Sequence, residues 1–159
     1  MSAGELKLPA AGESLEIVRT VDDSLLTPRY GKPDIVVLAS PAVVSLMEIA
    51  SLQLVERDLP ADLTSVGIRM TFEHLAPSYA GAEIVTRATV RQVSGRRIEL
   101  EVESFEGRTL VARAAHTRAI ASRSKFRPPA GGTDDPGIRA SRSAAPSNPD
   151  AKPKDANGR

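Results

Sequence analysis

The chain contains no cysteine and no tryptophan, and only 3% of its 159 residues are aromatic. Without cysteine there is no disulfide, no thiolate nucleophile and no cysteine-ligated zinc site. The shortage of aromatic rings also disfavours a surface that stacks nucleic-acid bases. The interior must therefore be built from aliphatic side chains, which make up most of the 41% of residues that are hydrophobic.

The chain also lacks an excess of charge of either sign. It has 21 basic and 20 acidic residues, with a formal net charge of +1. A dedicated nucleic-acid binder carries a strongly basic face. We therefore expect no nucleic-acid partner, and the charge balance favours a small molecule.

No hydrophobic run is long enough to cross a membrane. Residues 35–39 and 42–55 are the longest apolar stretches, and Ser40, Pro41 and Glu48 interrupt them. The N-terminus lacks the basic start and apolar run of a secretory signal. We expect a cytoplasmic protein that has no membrane partner.

The composition changes at Arg127, after which proline, glycine, serine, alanine and aspartate dominate. Such a segment cannot bury enough apolar surface to offset its ordering entropy. We expect a flexible N-terminus in residues 1–11, one folded domain in residues 12–126 and a disordered tail in residues 127–159.

The folded region predicts one helix and five strands. Alternation with a period of two predicts strands at residues 14–21, 64–73, 83–93, 96–105 and 108–122, the last four being consecutive. A helix is expected from Ser40 to about Arg57, with Ser40 as the N-cap and Pro41 at the first helical position. Because this helix is apolar around most of its circumference, it must be buried on several sides. The fold class is α+β, an antiparallel five-stranded sheet wrapped around one long helix.

Three polar residues are candidates for catalysis. His74 continues the face formed by Val66, Ile68, Met70 and Phe72 and should point inward, Glu48 interrupts the apolar helix, and Ser40 starts it. Each also has a structural explanation, because Ser45, Glu48 and Ser51 can form a solvated stripe, His74 can be a core residue and Ser40 a cap.

Together these residues suggest a proton-transfer site. An imidazole near its ordinary pKa accepts a proton from a hydroxyl or water at neutral pH, and Glu48 bound to its other nitrogen would fix the tautomer. The N–H groups of Ala42 and Val43 at the helix start can hold an oxyanion.

The run Leu38-Ala-Ser-Pro-Ala-Val-Val-Ser-Leu-Met-Glu48 is followed by Thr64-Ser-Val-Gly67, Phe-Glu-His74-Leu-Ala-Pro77 and Gly81. Val93-Ser-Gly-Arg-Arg-Ile98, Ala-Ala-His116-Thr-Arg118-Ala-Ile and Lys125-Phe126 come later. These motifs, over residues 14–126, resemble the fluoroacetyl-CoA thioesterase family of hotdog proteins. The resemblance implies a homodimeric hotdog thioesterase.

The resemblance also assigns the site. It implies catalytic residues Ser40, Glu48 and His74, with Ala42, Val43, Gly67 and His116 in substrate-binding or supporting positions. The substrate would be a small or medium acyl thioester of coenzyme A or of a carrier protein, and neither a cofactor nor a metal is expected. Candidate ligands of the coenzyme A phosphates are Arg87, Arg91, Arg96, Arg97 and Arg118.

Two other functions remain open from sequence. A hotdog lyase or conjugate-addition enzyme would use the same residues on an unsaturated thioester and release no thiol. A non-catalytic acyl-CoA binding dimer would bind without turnover.

Overall fold

A computed structural model of the protein describes residues 6–128. In chain order the main elements are β1 (Ser14–Thr20), α1 (Ser40–Glu56), β2 (Leu63–His74), β3 (Glu83–Ser94), β4 (Arg97–Glu106) and β5 (Thr109–Ser122). Every predicted strand and the predicted helix are present, with ends that differ from the prediction by at most one residue.

Part of the predicted domain organisation lies outside the described residues, namely residues 1–5 and the tail from residue 129. Within the segment that we predicted to be flexible, Leu8 packs against the core and Pro9 is buried. Gly12 then donates its N–H to the carbonyl of Val90, which joins this segment to β3.

The five strands form one antiparallel sheet in the order β1-β3-β4-β5-β2. The predicted α+β class and five-stranded sheet are confirmed, but the four consecutive strands do not pair in sequence order. Strand β2 pairs with β5 and not with β3, to which residues 75–82 connect it. The other two connections are tight turns at Gly95 and Gly107, both with positive φ.

Helix α1 packs against β1, β2, β3 and β4 on one face of this sheet. The core between them is aliphatic, as the composition requires. Each fully buried Val, Leu, Ile or Met side chain contributes roughly 1.5–3 kcal/mol to stability. The largest completely buried aliphatic side chains include Leu38, Val43, Met47, Leu54, Val55, Ile84, Ile98, Val102 and Val111.

Strand β2 contains a β-bulge between Gly67 and Arg69. Ile68 is the extra residue and is 48% exposed, and Val66 points to the side of the strand opposite to Ser65, so the predicted inward orientation of both is wrong. Before the bulge, Ser65 is buried on the helix side of the strand. After it, Met70 and Phe72 pack against the core. The bulge therefore changes which residues face the helix, and it brings residue 67 and residue 74 to the same face.

Candidate active site

Helix α1 begins at Ser40, and Ala39 is its N-cap. The predicted cap role of Ser40 is therefore wrong, and Pro41 occupies the second helical position, where no intrahelical donor is required. The Ser40 hydroxyl makes no capping hydrogen bond. It lies 2.8 Å from Nδ1 of His74. The hydroxyl therefore forms a hydrogen bond with the last residue of β2, the strand that ends opposite the helix start.

His74 is the last residue of β2, and its side chain faces the helix as predicted. Burial lowers the pKa of His74 below its ordinary value, and a backbone contact with Ala76 acts in the opposite direction. The imidazole is therefore neutral at pH 7, and its Nδ1 can accept the Ser40 proton. Its Nε2 atom is shielded from solvent and has no hydrogen-bond partner within residues 6–128.

An open cavity of about 310 Å³ adjoins the His74 side of this pair. It is lined by Val37, His74, Leu75, Ala76 and Pro77. Exposed apolar side chains nearby in the chain include Val36 and Leu75. A second cavity of about 390 Å³ is lined by charged residues such as Glu101 and Arg113 on the face of the sheet away from the helix. The cavity lined by Val37, Leu75, Ala76 and Pro77 is the one beside groups that can perform acyl transfer.

Glu48 does not contact His74 within the single chain, so the predicted hydrogen bond between them is not formed inside one subunit. Its Oε2 pairs with the guanidinium of Arg118, and its Oε1 lies 3.1 Å from Nε2 of His116. The His116 contact is not aligned as a linear hydrogen bond. The Glu48 side chain is 41% exposed, whereas those of Arg118 and His116 are 3% and 0% exposed.

The separation of Glu48 from His74 follows from the geometry of two elements. Glu48 comes eight residues after Ser40, which is about 12 Å along a helix. On β2, Gly67 lies beside Glu48 and His74 comes seven residues later, which is roughly 20 Å along a strand. The hydroxyl and imidazole therefore meet at one end of β2, and the carboxylate lies towards the other.

Gly67 is explained by the close approach of Glu48. A Cβ atom at this position would lie 2.5 Å from Glu48 Oε1 and 2.9 Å from His116 Nε2. Both distances are shorter than real Cβ contacts allow. The absence of a side chain at residue 67 therefore admits the carboxylate between α1 and β2.

His116 faces inward, as predicted, and its Nδ1 lies 3.0 Å from the hydroxyl of Ser51. Arg118 was a candidate for binding phosphate, but the structure buries it. Its Nε and one terminal nitrogen each donate to Ser65, to the hydroxyl and the carbonyl respectively, both at 2.9 Å. A guanidinium held in this way cannot reach a ligand in solvent. Arg118 comes two residues after His116 on β5, so the two side chains lie on the same side of the strand. This alternation was the sequence signal for the orientation of Arg118.

The backbone N–H groups at the helix start differ from the prediction in one respect. The Val43 N–H donates to the carbonyl of Ala39 at 3.1 Å, so Val43 cannot serve as an oxyanion donor. The Ala42 N–H has no acceptor within the described part of the chain and remains a candidate.

The other predicted phosphate ligands lie on the surface. Arg87 pairs with Glu16 and Arg91 pairs with Glu101. Arg96 and Arg97 are exposed at the turn between β3 and β4. Residues 6–128 contain no cluster of three or more side chains suited to holding a metal ion. Among the same residues, no helix has the length and apolar character needed to span a membrane.

The same fold occurs in several solved structures. The fluoroacetyl-CoA thioesterase FlK superimposes with a TM-score of 0.69 at 24% identity, over 74% of this chain and 92% of that one. A hot-dog-like protein from Thermanaerovibrio acidaminovorans gives 0.68 at 23% identity, over 72% and 85%. A thioesterase superfamily member from Thermus thermophilus gives 0.68 at 21% identity, over 75% and 88%.

No curated protein sequence matches the chain. The profile of the family described as FlK, fluoroacetyl-CoA-specific thioesterase, matches residues 21–124. This match covers both β2 and α1, and with them Ser40, Glu48 and His74. The chain belongs to the FlK family of hotdog thioesterases, and it is a thioester hydrolase.

Proposed function

We propose that the protein hydrolyses a small or medium acyl thioester of coenzyme A, with Ser40 as the nucleophile, His74 as the general base and Glu48 as a further catalytic group. The observation that carries the proposal is the 2.8 Å contact between the Ser40 hydroxyl and Nδ1 of a neutral His74, beside an open cavity. A solved complex of an FlK variant with fluoroacetate and CoA supports a coenzyme A thioester.

The first half of the reaction would acylate Ser40. Its Oγ attacks the thioester carbonyl carbon, and its proton passes to Nδ1 of His74. The Ala42 N–H and the positive end of the helix dipole stabilise the oxyanion of the tetrahedral intermediate. When the C–S bond breaks, the coenzyme A thiolate takes the proton from His74.

The second half would release the acid. His74 accepts a proton from water, the water oxygen attacks the acyl-serine ester, and the departing Ser40 oxygen regains the proton. This scheme needs neither a cofactor nor a metal. Among the predicted phosphate ligands, Arg96 and Arg97 are exposed and have no carboxylate partner within the described residues. We propose that these two arginines bind the coenzyme A phosphates.

We further propose that the active form is a homodimer in which Glu48 of one subunit faces the Ser40 and His74 pair of the other. Strand β2 is at an edge of the sheet, so its outer backbone groups are available for pairing with a second copy. In an antiparallel pair of two β2 strands centred near Met70, Gly67 of one copy lies opposite His74 of the other. The partly exposed carboxylate beside Gly67 then meets the imidazole.

Thiol release from a panel of acyl-CoA substrates tests the catalytic pair. We expect Ser40→Ala and His74→Ala each to lower kcat by at least about 100-fold. Intact-protein mass spectrometry after rapid acid quenching should show an acyl adduct on the natural protein and none on Ser40→Ala. Turnover that depends on Ser40 without any adduct would mean that Ser40 orients a water instead.

Mixing two inactive variants tests the composite site. Coexpressed Glu48→Gln and His74→Ala chains form mixed dimers with one intact site, so we expect about a quarter of the natural activity if subunits pair at random. If each site lay within one chain, the mixture would be as inactive as its components. Sedimentation of the natural protein supplies the subunit number.

A further inference from the structure

A buried chain of polar groups lies behind Glu48 and has no part in the proposed acyl transfer. Ser51, on the helix turn after Glu48, is fully buried, and its Oγ lies 3.0 Å from Nδ1 of His116. The other nitrogen of the same ring is 3.1 Å from Glu48 Oε1. Hydroxyl, imidazole and carboxylate thus follow one another, and only the carboxylate reaches the surface.

The protons in this chain can be placed from the contacts. A neutral imidazole carries one N–H, and a bare Nε2 facing the Glu48 carboxylate would set two lone pairs against each other. The N–H therefore belongs on Nε2, and Nδ1 is an acceptor. Ser51 is the group that can donate to it. The same hydroxyl can also donate to the Met47 carbonyl at 2.8 Å, because a carbonyl oxygen accepts both this hydrogen and the Ser51 N–H of the helix. Nδ1 of His116 has no other donor within the described residues, so donation to Nδ1 leaves fewer buried groups unpaired.

The charges support a neutral His116. The charged groups that face the ring are Glu48 from α1 and Arg118 from β5, and they offset each other. Strand β2 contributes Gly67 and β4 contributes Leu100, neither of which titrates. Burial, aided by Arg118, lowers the pKa of His116, while Glu48 acts in the opposite direction. A proton added to the ring would leave a net positive charge in the interior.

We propose that Ser51 and His116 form a buried positioning pair, in which the Ser51 hydroxyl donates to Nδ1 of the Nε2–H tautomer of His116. The Nε2–H, which faces Glu48 Oε1 at 3.1 Å without the alignment of a linear hydrogen bond, holds the carboxylate beside Gly67. Neither residue touches substrate. The effect on turnover rests on the proposed function, because it acts through Glu48, but the tautomer is a property of the folded chain alone.

Nitrogen NMR of histidine-labelled protein tests the tautomer without any substrate. The chain has only two histidines, so His74→Ala identifies the His116 signals. We expect a protonated Nε2 and an unprotonated Nδ1 at pH 7. In Ser51→Ala the Nδ1 resonance should shift, because this nitrogen loses its hydrogen-bond donor. Ser104→Ala is the matched control, since it removes an equally buried hydroxyl that pairs with Thr86.

An Nδ1–H tautomer, an imidazolium at pH 7, or unchanged His116 signals in folded Ser51→Ala would overturn the proposal. Thermal unfolding shows whether each variant is folded. Should Ser51→Ala fail to fold, the His116 tautomer in the natural protein still decides.

Kinetics then test the link to Glu48. We expect Ser51→Ala and His116→Leu to lower kcat by about 10- to 100-fold with a smaller change in KM, because the carboxylate is displaced. His116→Gln retains an amide N–H that can reach Glu48, so it should recover part of the loss. Equal kcat in the Leu and Gln variants would overturn the positioning role. A natural protein with the expected tautomer but no thiol release would overturn the proposed function instead.

Discussion

Replacing Gly67 by alanine should displace Glu48 without altering any polar group. The added Cβ would be 2.5 Å from Glu48 Oε1 and 2.9 Å from His116 Nε2. An ordinary contact is about 3.5 Å, so the carboxylate must retreat by about 1 Å. The buried ring has little room, whereas the Glu48 side chain is 41% exposed and can move outward. The pairing with His116 and Arg118 is then weakened.

The expected loss of stability in Gly67→Ala follows from the weakened hydrogen bonds to the Glu48 carboxylate. A hydrogen bond to a charged group contributes about 1.5–3 kcal/mol, and Arg118 keeps its bonds to Ser65, so we expect unfolding free energy to fall by about 1–3 kcal/mol. For a domain of this size the melting temperature falls by roughly 4–12 °C. We expect kcat to fall by 10- to 100-fold, since a displacement of about 1 Å at a catalytic group has effects of this order. Circular dichroism and thiol release measure the two quantities.

A double-mutant cycle shows whether the effect acts through the carboxylate. In a Glu48→Ala background the methyl group no longer meets the carboxylate, so Gly67→Ala should have a smaller effect on stability and kcat, with a coupling energy of about 1 kcal/mol or more. Gln92→Ala, an exposed position on β3, is the control and should change stability by less than about 0.5 kcal/mol. Additive effects, or a Gly67→Ala protein that behaves like Gln92→Ala, would refute the reasoning.

Three further outcomes are expected. Because burial lowers the pKa of His74 below 6.5, kcat/KM should stay high as pH falls through 6.5 and drop only at lower pH, and a pH profile with an inflection above 6.5 would contradict this. Arg118→Met removes the buried cation that binds Glu48 and Ser65 and should lower unfolding free energy by about 1.5–3 kcal/mol in denaturant titrations, since Glu48 is partly exposed. Arg113→Met breaks an exposed ion pair and should lower it by less than about 1 kcal/mol. A chain ending at Pro128 should unfold within about 2 °C of the full chain by calorimetry, because β5 and the turn at Arg123–Phe126 are complete.

Much of the fold was accessible from sequence because its signals are local. Alternating residues located the strands, and the uniform apolar helix required burial on several sides. The pairing of β2 with β5 was not accessible, since strand order depends on contacts between residues far apart in the chain. The bulge at Ile68 was also missed, because an inserted residue leaves no mark on a pattern of apolar side chains.

The candidate site was predicted in part. The orientation of His74 and its proximity to Ser40 follow from the end of one strand and the start of the helix. Within one chain Glu48 contacts Arg118 and His116 instead of His74, because eight residues of helix separate it from Ser40. Arg118 was assigned to the surface on charge alone, although its position two residues after His116 placed it on the inner face. Burial of a guanidinium can be recognised only when its carboxylate partner is known.

The bulge in β2 also fixes the number of residues that must separate Gly67 from His74. Residues an odd number of positions apart normally point to opposite sides of a strand, yet residues 67 and 74 point to the same side because one residue between them is not counted by the pairing with β5. Deletion of a single codon between the bulge and His74 would turn the imidazole to the outer side of the sheet, away from Ser40. Removal of two codons would restore its direction but leave the strand too short to reach the helix start.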